Sequence, residues 1–335
     1  MRVLVIGGTG NISRGIVRAL RENGDEVVIF HRGQHCDPAP PDVRVVLGDR
    51  RERSDFEEKC RSVHADAAID MISFTEEDAA SALRAFAGRI QHFIHCSTVM
   101  TYGPPVDCLF ADENHPLHAQ SSYGQNKIKA DALLMRACAD NGFPVTIIRP
   151  SYTFGPGMML HRMIGDDGPW IDRIRKGKPI LSAGDGTSLF QFLASQDAGR
   201  VFAGVLGKAR CIGQIYNMAH PQPITWDDWH RIAMVAVGRE VEIVHAPQEM
   251  LLCIDGRYAG LPHNFGHQQV FSAAKLQRDL PEWQPEVSWE EGVRWNIEWM
   301  ERHRLITNSD EDDLEDRIIA HLKALPERVR QGEIA

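Results

Sequence analysis

The sequence has no excess of basic residues, no long hydrophobic run and no cysteine pair of the CxxC kind. Its formal net charge of −9 at pH 7 argues against binding to nucleic acid or to an anionic membrane through a basic surface. No segment approaches the roughly 18 consecutive apolar residues that a membrane-spanning helix requires. The seven cysteines are scattered, which is typical of reduced thiols in the cytoplasm. We therefore expect a cytoplasmic globular protein without a nucleic-acid or membrane partner.

Metal-binding motifs are missing from the sequence as well. None of the 15 histidines belongs to an HxH or HExxH pattern, which would bring two imidazoles to one metal ion. His263 and His267 are four residues apart, but the Asn-Phe-Gly between them is typical of a loop. We therefore expect no metal site.

A strand, a glycine turn and a helix follow one another at the start of the chain. Residues 2–6 are rich in β-branched side chains, the next four are Gly-Gly-Thr-Gly, and apolar residues then recur at helical spacing. This order is typical of the phosphate-binding unit of a dinucleotide fold. Gly7 permits the tight turn, Gly10 lets the backbone approach a pyrophosphate, and the helix start offers free N–H groups to its charge. Ser13 occupies the third small position, where glycine is usual.

Segments of strand character alternate with segments of helical character along the first half of the chain. The strand-like segments are residues 2–6, 26–30, 43–47, 67–71, 92–95 and 144–148, with a late one at 214–218. This alternation predicts an α/β protein with a doubly wound parallel sheet of the Rossmann type. Ligands of such sheets bind at the carboxyl ends of the strands.

The alternation weakens after residue 150, which indicates a smaller C-terminal domain for the substrate. We predict a dinucleotide-binding domain from residues 1–150 and about 186–218. The substrate-binding domain is expected from about 151–185 and 219–305, and residues 306–335 are expected to form a C-terminal helical tail.

The end of the second predicted strand bears on the choice of cofactor. An acidic residue at this position would bind the ribose hydroxyls of NAD, but His31 and Arg32 stand here. An arginine can bind the 2′-phosphate of NADP, so the sequence favours NADP over NAD. The alternative is that Arg32 is a solvated turn residue and that the cofactor is NAD.

Tyr123 and Lys127 lie one turn apart in residues 122–141, which are predicted to form a long helix. A free phenol has a pKa of about 10. A neighbouring ammonium favours the phenolate and is expected to lower that pKa towards neutrality, where a general base works best. Thr98, at the end of a predicted strand, can supply a hydroxyl that orients a substrate oxygen. The pattern YxxxK also arises by chance, and a surface pair is the alternative.

These features together resemble the extended short-chain dehydrogenase/reductase superfamily, which includes UDP-galactose 4-epimerase and other nucleotide-sugar epimerases and dehydratases. The resemblance runs from the N-terminus to about residue 219 and continues more weakly to about residue 300. The matching segments are VIGGTGNIS at 5–13, GDR at 48–50, CSTVMTYG at 96–103, YGQNK at 123–127, RPSYTFGPG at 149–157, GDGTS at 184–188, QDAGRVF at 196–202 and IYNMA at 215–219.

The resemblance implies catalytic roles for four residues. Tyr123 would be the acid/base, Lys127 its electrostatic partner and Thr98 the hydroxyl that binds the reacting oxygen. Ser97 would be an alternate to Thr98. The nicotinamide would remove or return a hydride at a carbon that bears an alcohol or a ketone.

The resemblance also implies the residues that bind ligands and a homodimer formed through the Tyr123 helix and the helix that begins near Thr75. The residues expected to hold NADP or NAD are Gly7, Thr9, Gly10, Asn11, Ile12, His31, Arg32, Asp49, Arg50, Asp70, Met71, Lys127 and Pro150. The residues expected to contact the substrate, a sugar derivative, are Thr98, Tyr123, Tyr152 and Phe190.

Three departures from the family pattern bear on the reaction. The dehydratases follow the catalytic Thr with Asp-Glu, whereas Thr98 is followed by Val-Met, so water loss by that route is not expected. Epimerases place an Asn where this chain has Tyr152 and an Arg where it has Phe190. Both family residues bind the phosphates of a nucleotide sugar.

Three functions therefore remain open at this point. The first is an NAD(P)-dependent epimerase or oxidoreductase acting on a sugar or nucleotide sugar, with Tyr123 as acid/base. The second is an NADPH-dependent reductase of a ketone or aldehyde on a small substrate without a nucleotide. The third is a non-catalytic RNA-binding or regulatory relative, because chloroplast stem-loop RNA-binding proteins share a similar glycine turn and GDR segment.

Overall fold

A computed structural model describes residues 1–34, 38–165 and 168–332 of the chain. Residues 333–335 of the predicted tail lie outside the described residues. The strands are β1 (Arg2–Ile6), β2 (Glu26–His31), β3 (Arg44–Leu47), β4 (Ala67–Asp70), β5 (His92–Cys96), β6 (Val145–Pro150), β7 (Tyr152–Phe154), β8 (Ile180–Ala183), β9 (Leu189–Phe190), β10 (Phe192–Ala194), β11 (Gln214–Met218), β12 (Ile224–Thr225) and β13 (Ile243–Ala246).

The helices fall between and after these strands. They are α1 (Asn11–Glu22), α2 (Arg53–Ser62), α3 (Glu76–Phe86), α4 (Ser122–Asn141), α5 (Pro169–Lys176), α6 (Ser195–Val205), α7 (Trp226–Val237), α8 (Gln248–Ile254), α9 (Ala274–Asp279), α10 (Trp289–Arg302) and α11 (Leu314–Arg330).

A seven-stranded parallel sheet forms the centre of the first compact unit, in the order β3-β2-β1-β4-β5-β6-β11. The side chains of β1 show why its apolar run is continuous. Val3 and Val5 pack with α1 and α6 on one face, whereas Leu4 and Ile6 pack with α2, α3 and α4 on the other. A strand covered by helices on both faces needs apolar residues at every position. This arrangement confirms the predicted α/β fold with a doubly wound parallel sheet.

Local signals explain where α3 begins and where α4 ends. Thr75 and Asp78 form a capping box at the start of α3, in which each side chain accepts a hydrogen bond from the other residue's backbone N–H. Gly142 ends α4 in the left-handed conformation, with a φ of +67°. Only glycine adopts this conformation without steric cost.

The closest helix packing in the first unit occurs between α1 and α6. A Cβ added at Gly15 would lie 2.1 Å from the carbonyl oxygen of Ser195, and one added at Gly199 would lie 2.0 Å from the carbonyl carbon of Gly15. The backbones of α1 and α6 are therefore in direct contact, one turn after the glycine turn. The sequence pattern assigned the small position to Ser13, which is buried, but Gly15 makes the closer approach.

The chain divides into two compact units whose boundaries differ from the predicted ones. The first unit contains residues 1–157, 191–223 and 270–288, and the second contains 158–190, 224–269 and 289–335. Residues 270–288 thus belong with the parallel sheet, although the sequence pattern placed them in the substrate domain. The C-terminal helix belongs to the second unit and is not a separate tail.

Buried ion pairs explain why α11 is part of the second unit. Two nitrogens of Arg162 bind the two carboxylate oxygens of Glu315 at 2.8 and 2.9 Å. The backbone N–H of Leu181 donates to the same carboxylate at 2.8 Å. Because Arg162 is buried, it needs this counter-charge from α11. None of the helices within the described residues has the length and hydrophobicity to cross a membrane.

We predict that Gly15→Ala lowers the free energy of unfolding by at least about 2 kcal/mol, because the new methyl group must push two backbones apart. Urea unfolding of the full chain, followed by circular dichroism, measures the change. Gly256→Ala is the matched control, since a Cβ at Gly256 meets no atom within 4 Å. Equal stability of the two variants would contradict the packing described for α1 and α6.

Candidate active site

The glycine turn and the start of α1 form one wall of a cleft at the carboxyl ends of the strands. Gly7 has a φ of +84°, and a Cβ there would lie 2.5 Å from the Ile72 side chain. Gly10 precedes α1 without a side-chain cap, and the first turn of α1 contains no acidic residue. The N–H groups of this turn are therefore open to an anion such as a pyrophosphate.

The cleft has a volume of about 670 Å³, within the range of pockets that hold small molecules and cofactors. Seven of the predicted cofactor residues line it. The full lining is Gly7, Thr9, Gly10, His31, Arg32, Gln34, Gly48, Asp49, Arg50, Arg51, Arg53, Ile72, Phe74, Thr75 and Asp78. The glycine turn and the ends of β2 and β3 therefore meet in one site.

The charged residues at the end of the cleft beside β2 and β3 differ in their partners. Arg51 donates to both carboxylate oxygens of Asp49, the shortest of the three bonds being 2.6 Å, and holds the pKa of Asp49 at about 2. Arg32 is exposed and makes no hydrogen bond or ion pair within residues 1–34, 38–165 and 168–332. The guanidinium of Arg32 is thus available to a ligand, whereas Asp49 is already paired.

Arg50 and Asp70, both predicted to bind the cofactor, bind each other instead. Nη1 of Arg50 donates to both carboxylate oxygens of Asp70 at 2.8 and 2.9 Å. Nη2 donates to the carbonyl of Asp78 at 2.8 Å, and Arg53 also bonds the Asp78 carboxylate. Both residues of the Arg50–Asp70 pair are buried. Their charges are thus paired with each other, although Arg50 also lines the cleft, and a role of the two residues in holding the cofactor stays a prediction.

The remaining predicted cofactor residues are not among those that line the cleft. The side-chain nitrogen of Asn11 donates to the carbonyl of Gly155 at 2.9 Å and so ties the start of α1 to the segment after β7. Ile12 and Met71 pack against the core on the α1 face of the sheet. Pro150 is buried at the end of β6.

Lys127 lies on α4 with its side chain 1 % exposed. Its ammonium group donates to the carbonyl of Ser73 at 2.7 Å and to the carbonyl of Cys96 at 2.5 Å. Burial lowers the pKa of this lysine, because the charged form loses its hydration. Lys127 therefore joins α4 to the chain beyond β4 and to the end of β5.

Tyr123 and Thr98 lie together, as the sequence predicts. The Thr98 side chain lies near enough to the Tyr123 phenol to act on its pKa, and its oxygen accepts a hydrogen bond from the backbone N–H of Met100 at 3.2 Å. The Tyr123 ring is 40 % exposed. Enough protein surrounds the phenol that desolvation raises the pKa of Tyr123 to about 12, with the neighbouring Thr98 hydroxyl acting in the opposite direction.

The expectation that Lys127 lowers the pKa of Tyr123 towards neutrality is wrong for this chain. Nζ of Lys127 lies 5.8 Å from the centroid of the Tyr123 ring and 5.1 Å from that of Phe74. The ammonium thus faces ring surfaces and two carbonyls rather than the phenol oxygen. Desolvation is consequently the largest influence on the pKa of Tyr123 and raises it.

Ser97 belongs to a buried polar network rather than to the cleft. Its hydroxyl donates to the carboxylate of Asp131 at 2.9 Å, and Arg149 donates to the same oxygen at 3.0 and 3.2 Å. Arg149 also contacts the hydroxyl of Tyr102, which donates to Asn217 at 2.7 Å. The geometry gives no support to Ser97 as an alternate catalytic residue.

The two residues that break the family pattern lie in different units. Tyr152 is half-buried on β7 of the first unit, with its ring edge-on to Phe192 at 5.6 Å. Phe190 is 3 % exposed in the second unit, with its ring 5.1 Å from Trp226 and 5.6 Å from Phe265. The ring of Phe190 is thus buried in an aromatic cluster, and its contact with the substrate stays a prediction.

Two groups of residues in the structure were not identified from the sequence. Asp131 lies one turn beyond Lys127 on α4, and this spacing was the signal that could have identified it. The structure also brings ligand atoms of Asp107, Cys108 and His115 within 4.8 Å of one another. That cluster was missed because its spacing matches no metal-binding motif.

Comparison with known proteins gives one family and several relatives. The model of the NAD dependent epimerase/dehydratase family matches residues 3–219. The chain is 30% identical over 288 residues to 2'-dehydrokanamycin reductase of Streptomyces kanamyceticus, covering 85% of this chain and 80% of the reductase. It is 25% identical over 308 residues to the chloroplast stem-loop binding protein of 41 kDa b of Arabidopsis thaliana, covering 87% of this chain and 77% of that protein.

A solved structure shows the same fold. UDP-glucose 4-epimerase of Thermus thermophilus in complex with NAD superposes with a TM-score of 0.71 over 90% of this chain and 99% of the epimerase, at 21% identity. Such similarity concerns the arrangement of strands and helices and leaves the substrate open.

We predict that Asp131→Asn lowers the free energy of unfolding by about 3–5 kcal/mol, because Arg149 stays buried without its counter-charge. Burial opposes the charge on Asp131, but contacts with His95, Arg149 and Ser97 outweigh burial and lower its pKa. A carboxyl whose pKa is lower in the folded state stabilises above its ordinary pKa, and this stabilisation is lost as the pH falls through the folded value. Unfolding of the wild type should therefore become easier below about pH 4, and that of the variant should depend less on pH.

Urea unfolding of both proteins between neutral and acidic pH measures this difference. Asp55→Asn is the control, because Asp55 forms an exposed pair with Lys59 on α2 and its loss should cost less than about 1 kcal/mol. Similar losses for the two variants would refute the role given to the buried pair.

Proposed function

The chain belongs to the NAD dependent epimerase/dehydratase family, and on this premise we propose that it is an NAD(P)-dependent oxidoreductase acting at an alcohol or ketone carbon of a sugar derivative. The proximity of the Thr98 and Tyr123 hydroxyls carries the proposal. Two neighbouring hydroxyls can both reach one substrate oxygen, and one of them can give it a proton. The homodimer through α3 and α4 stays a prediction.

The residues of the cleft fit a dinucleotide. The uncapped start of α1 and the turn at Gly7 and Gly10 suit the pyrophosphate, and the volume of about 670 Å³ suits a cofactor. Arg32 would hold a 2′-phosphate, which supports NADP over NAD. When bound, the cofactor supplies or accepts the hydride.

Tyr123 is better suited to give a proton than to take one. Because its pKa is raised to about 12, the phenol keeps its proton at neutral pH. Its oxygen can then donate that proton to a ketone oxygen that the Thr98 hydroxyl also binds. The chain therefore favours the reduction of a ketone, since oxidation of an alcohol would first require the pKa of Tyr123 to fall.

A keto sugar without a nucleotide is the substrate class that we favour. One relative, 30% identical over most of both chains, is named for the reduction of 2'-dehydrokanamycin. Tyr152 replaces the Asn with which epimerases bind substrate phosphates, so one contact to a nucleotide is missing. Epimerisation is the second candidate, because the family match covers residues 3–219. An epimerase would also use Thr98, Tyr123 and Lys127.

A non-catalytic RNA-binding role is the third possibility, and the Arabidopsis stem-loop binding protein is a relative of that kind. Thr98, Tyr123 and Lys127 are all present and lie together beside the cleft. A protein that only binds RNA has no need of this set. The set therefore favours an enzyme over an RNA-binding protein.

We predict that Tyr123→Phe lowers the turnover number by about 10²–10⁴-fold and leaves cofactor affinity unchanged, because only the proton donor is removed. Absorbance of the reduced nicotinamide is followed with 2'-dehydrokanamycin, free keto sugars and nucleotide sugars. Net oxidation of NADPH with a substrate lacking a nucleotide is the expected result.

Tyr216→Phe serves as the control, because the Tyr216 hydroxyl bonds Asp279 away from the cleft. Turnover by Tyr123→Phe equal to that of the wild type would overturn the mechanism. Conversion of a nucleotide sugar without net use of cofactor would establish the epimerase instead.

We predict that Arg32→Gln raises the dissociation constant for NADPH by about ten- to a hundredfold, because a hydrogen bond between two charged groups is lost. The constant for NADH should stay unchanged, since NADH has no 2′-phosphate. Fluorescence titration of the two cofactors measures both values. Arg44→Gln on exposed β3 is the control, and an equal effect of Arg32→Gln on both cofactors would refute the assignment.

A further inference from the structure

Asp107, Cys108 and His115 form a cluster on the connector between Thr101 and α4. A carboxylate oxygen, a sulfur and a ring nitrogen from these residues lie within 4.8 Å of one another. Carboxylate, thiolate and imidazole together are the donor set of zinc sites. None of the three lines the cleft described above, so the cluster is independent of the proposed oxidoreductase site.

His115 is held in the orientation that a metal ligand needs. Its side chain is only 7 % exposed, and its ring lies edge-on to Tyr102 at 5.6 Å. Nδ1 lies 3.0 Å from the carbonyl oxygen of Pro116, and Nε2 lies 2.8 Å from a carboxylate oxygen of Asp107. Histidines that bind metals commonly donate one ring N–H to a carbonyl in this way, which leaves the other nitrogen for the metal.

The same geometry demands a positive charge beside Nε2. If Nδ1 carries the hydrogen that bonds Pro116, the lone pair of Nε2 faces a carboxylate oxygen of Asp107. Two electron pairs at 2.8 Å repel each other unless a cation lies between them. A second proton satisfies this demand at the present separation. A metal ion satisfies it once the exposed Asp107 carboxylate moves outwards, because Zn²⁺ binds each atom at about 2.0–2.1 Å. The sulfur of Cys108 beside it favours a thiophilic metal.

Hydrogen bonds fix the part of the connector between the ligands. The backbone N–H of Ala111 donates to Val270 at 3.0 Å, and Glu113 accepts from the backbone N–H of Asn217 at 2.8 Å. Asp112 accepts from the backbone N–H of Asn114 at 2.9 Å. The spacing between residues 107 and 115 is thus preset, while the exposed side chains of Asp107 and Cys108 can rotate onto an ion.

We propose that Asp107, Cys108 and His115 form a zinc-binding site with water as the fourth ligand. Zn²⁺ binds sulfur, nitrogen and oxygen donors at about 2.0–2.3 Å in tetrahedral geometry. The bound ion would cross-link the two ends of the loop from residue 107 to residue 115. This loop belongs to the connector that joins the Thr98 strand end to the Tyr123 helix.

Cobalt titration of the reduced, chelator-treated full chain tests the proposal, because Co²⁺ occupies tetrahedral zinc sites and absorbs in the near ultraviolet when a thiolate binds it. We expect one equivalent of Co²⁺ to give this absorption and Zn²⁺ to abolish it. Cys108→Ser should lose the absorption, and Cys253→Ser, at the other exposed cysteine of the described residues, should keep it. His115→Gln should weaken Zn²⁺ binding by at least about tenfold.

Two outcomes would overturn the zinc site. One is the absence of any thiolate absorption with Co²⁺ in excess, which would leave a proton as the cation between His115 and Asp107. The other is an absorption that survives Cys108→Ser, which would place the metal elsewhere. Cys108 is exposed, so its replacement by serine leaves the core intact, and Zn²⁺ should raise the unfolding temperature of the wild type but not of this variant.

Discussion

A buried ammonium group fixes the edge of the sheet at which the candidate active site lies. Lys127 donates to carbonyl oxygens of Ser73 and Cys96, which belong to segments following β4 and ending β5. An ammonium ion without water is stable only where such acceptors replace its hydration. Once α4 is bound to both strand ends, Tyr123, one turn earlier, can only lie beside Thr98. Lys127 therefore acts first as a positioning residue for the two hydroxyls.

Of the three polar residues at one-turn spacing on α4, the first is exposed and the other two are buried. Tyr123 is 40 % exposed, Lys127 is 1 % exposed and Asp131 is 3 % exposed. Tyr123 can meet a substrate, Lys127 binds the two strand ends, and Asp131 balances the charge of Arg149. One face of α4 thus carries the candidate reacting group, Tyr123, together with Lys127 and Asp131, whose hydrogen bonds hold this helix against the sheet.

Apolar runs and the glycine turn predicted the fold well, because the side chains of β1 and the turn that follows them are local features. The site was predictable where residue type sufficed, as for the glycine turn, Tyr123 and Thr98. The role of a side chain was not predictable where it depends on a contact with a residue far away in the sequence. Arg50, just after β3, pairs with Asp70 at the end of β4, although β1 and β2 lie between these strands in the sheet. Phe190 packs against rings from other segments. The pKa of Tyr123 likewise depends on desolvation, which no spacing reveals.

The contact of Gly15 with Ser195 and Gly199 has a consequence for the order in which this protein is assembled. The helix that begins at the glycine turn is made first, but the surface against which its backbone packs is made about 180 residues later. During synthesis one face of α1 stays uncovered until α6 has left the ribosome. A nascent chain that ends after β6 contains every residue of the glycine turn and still lacks the helix that holds the turn in place.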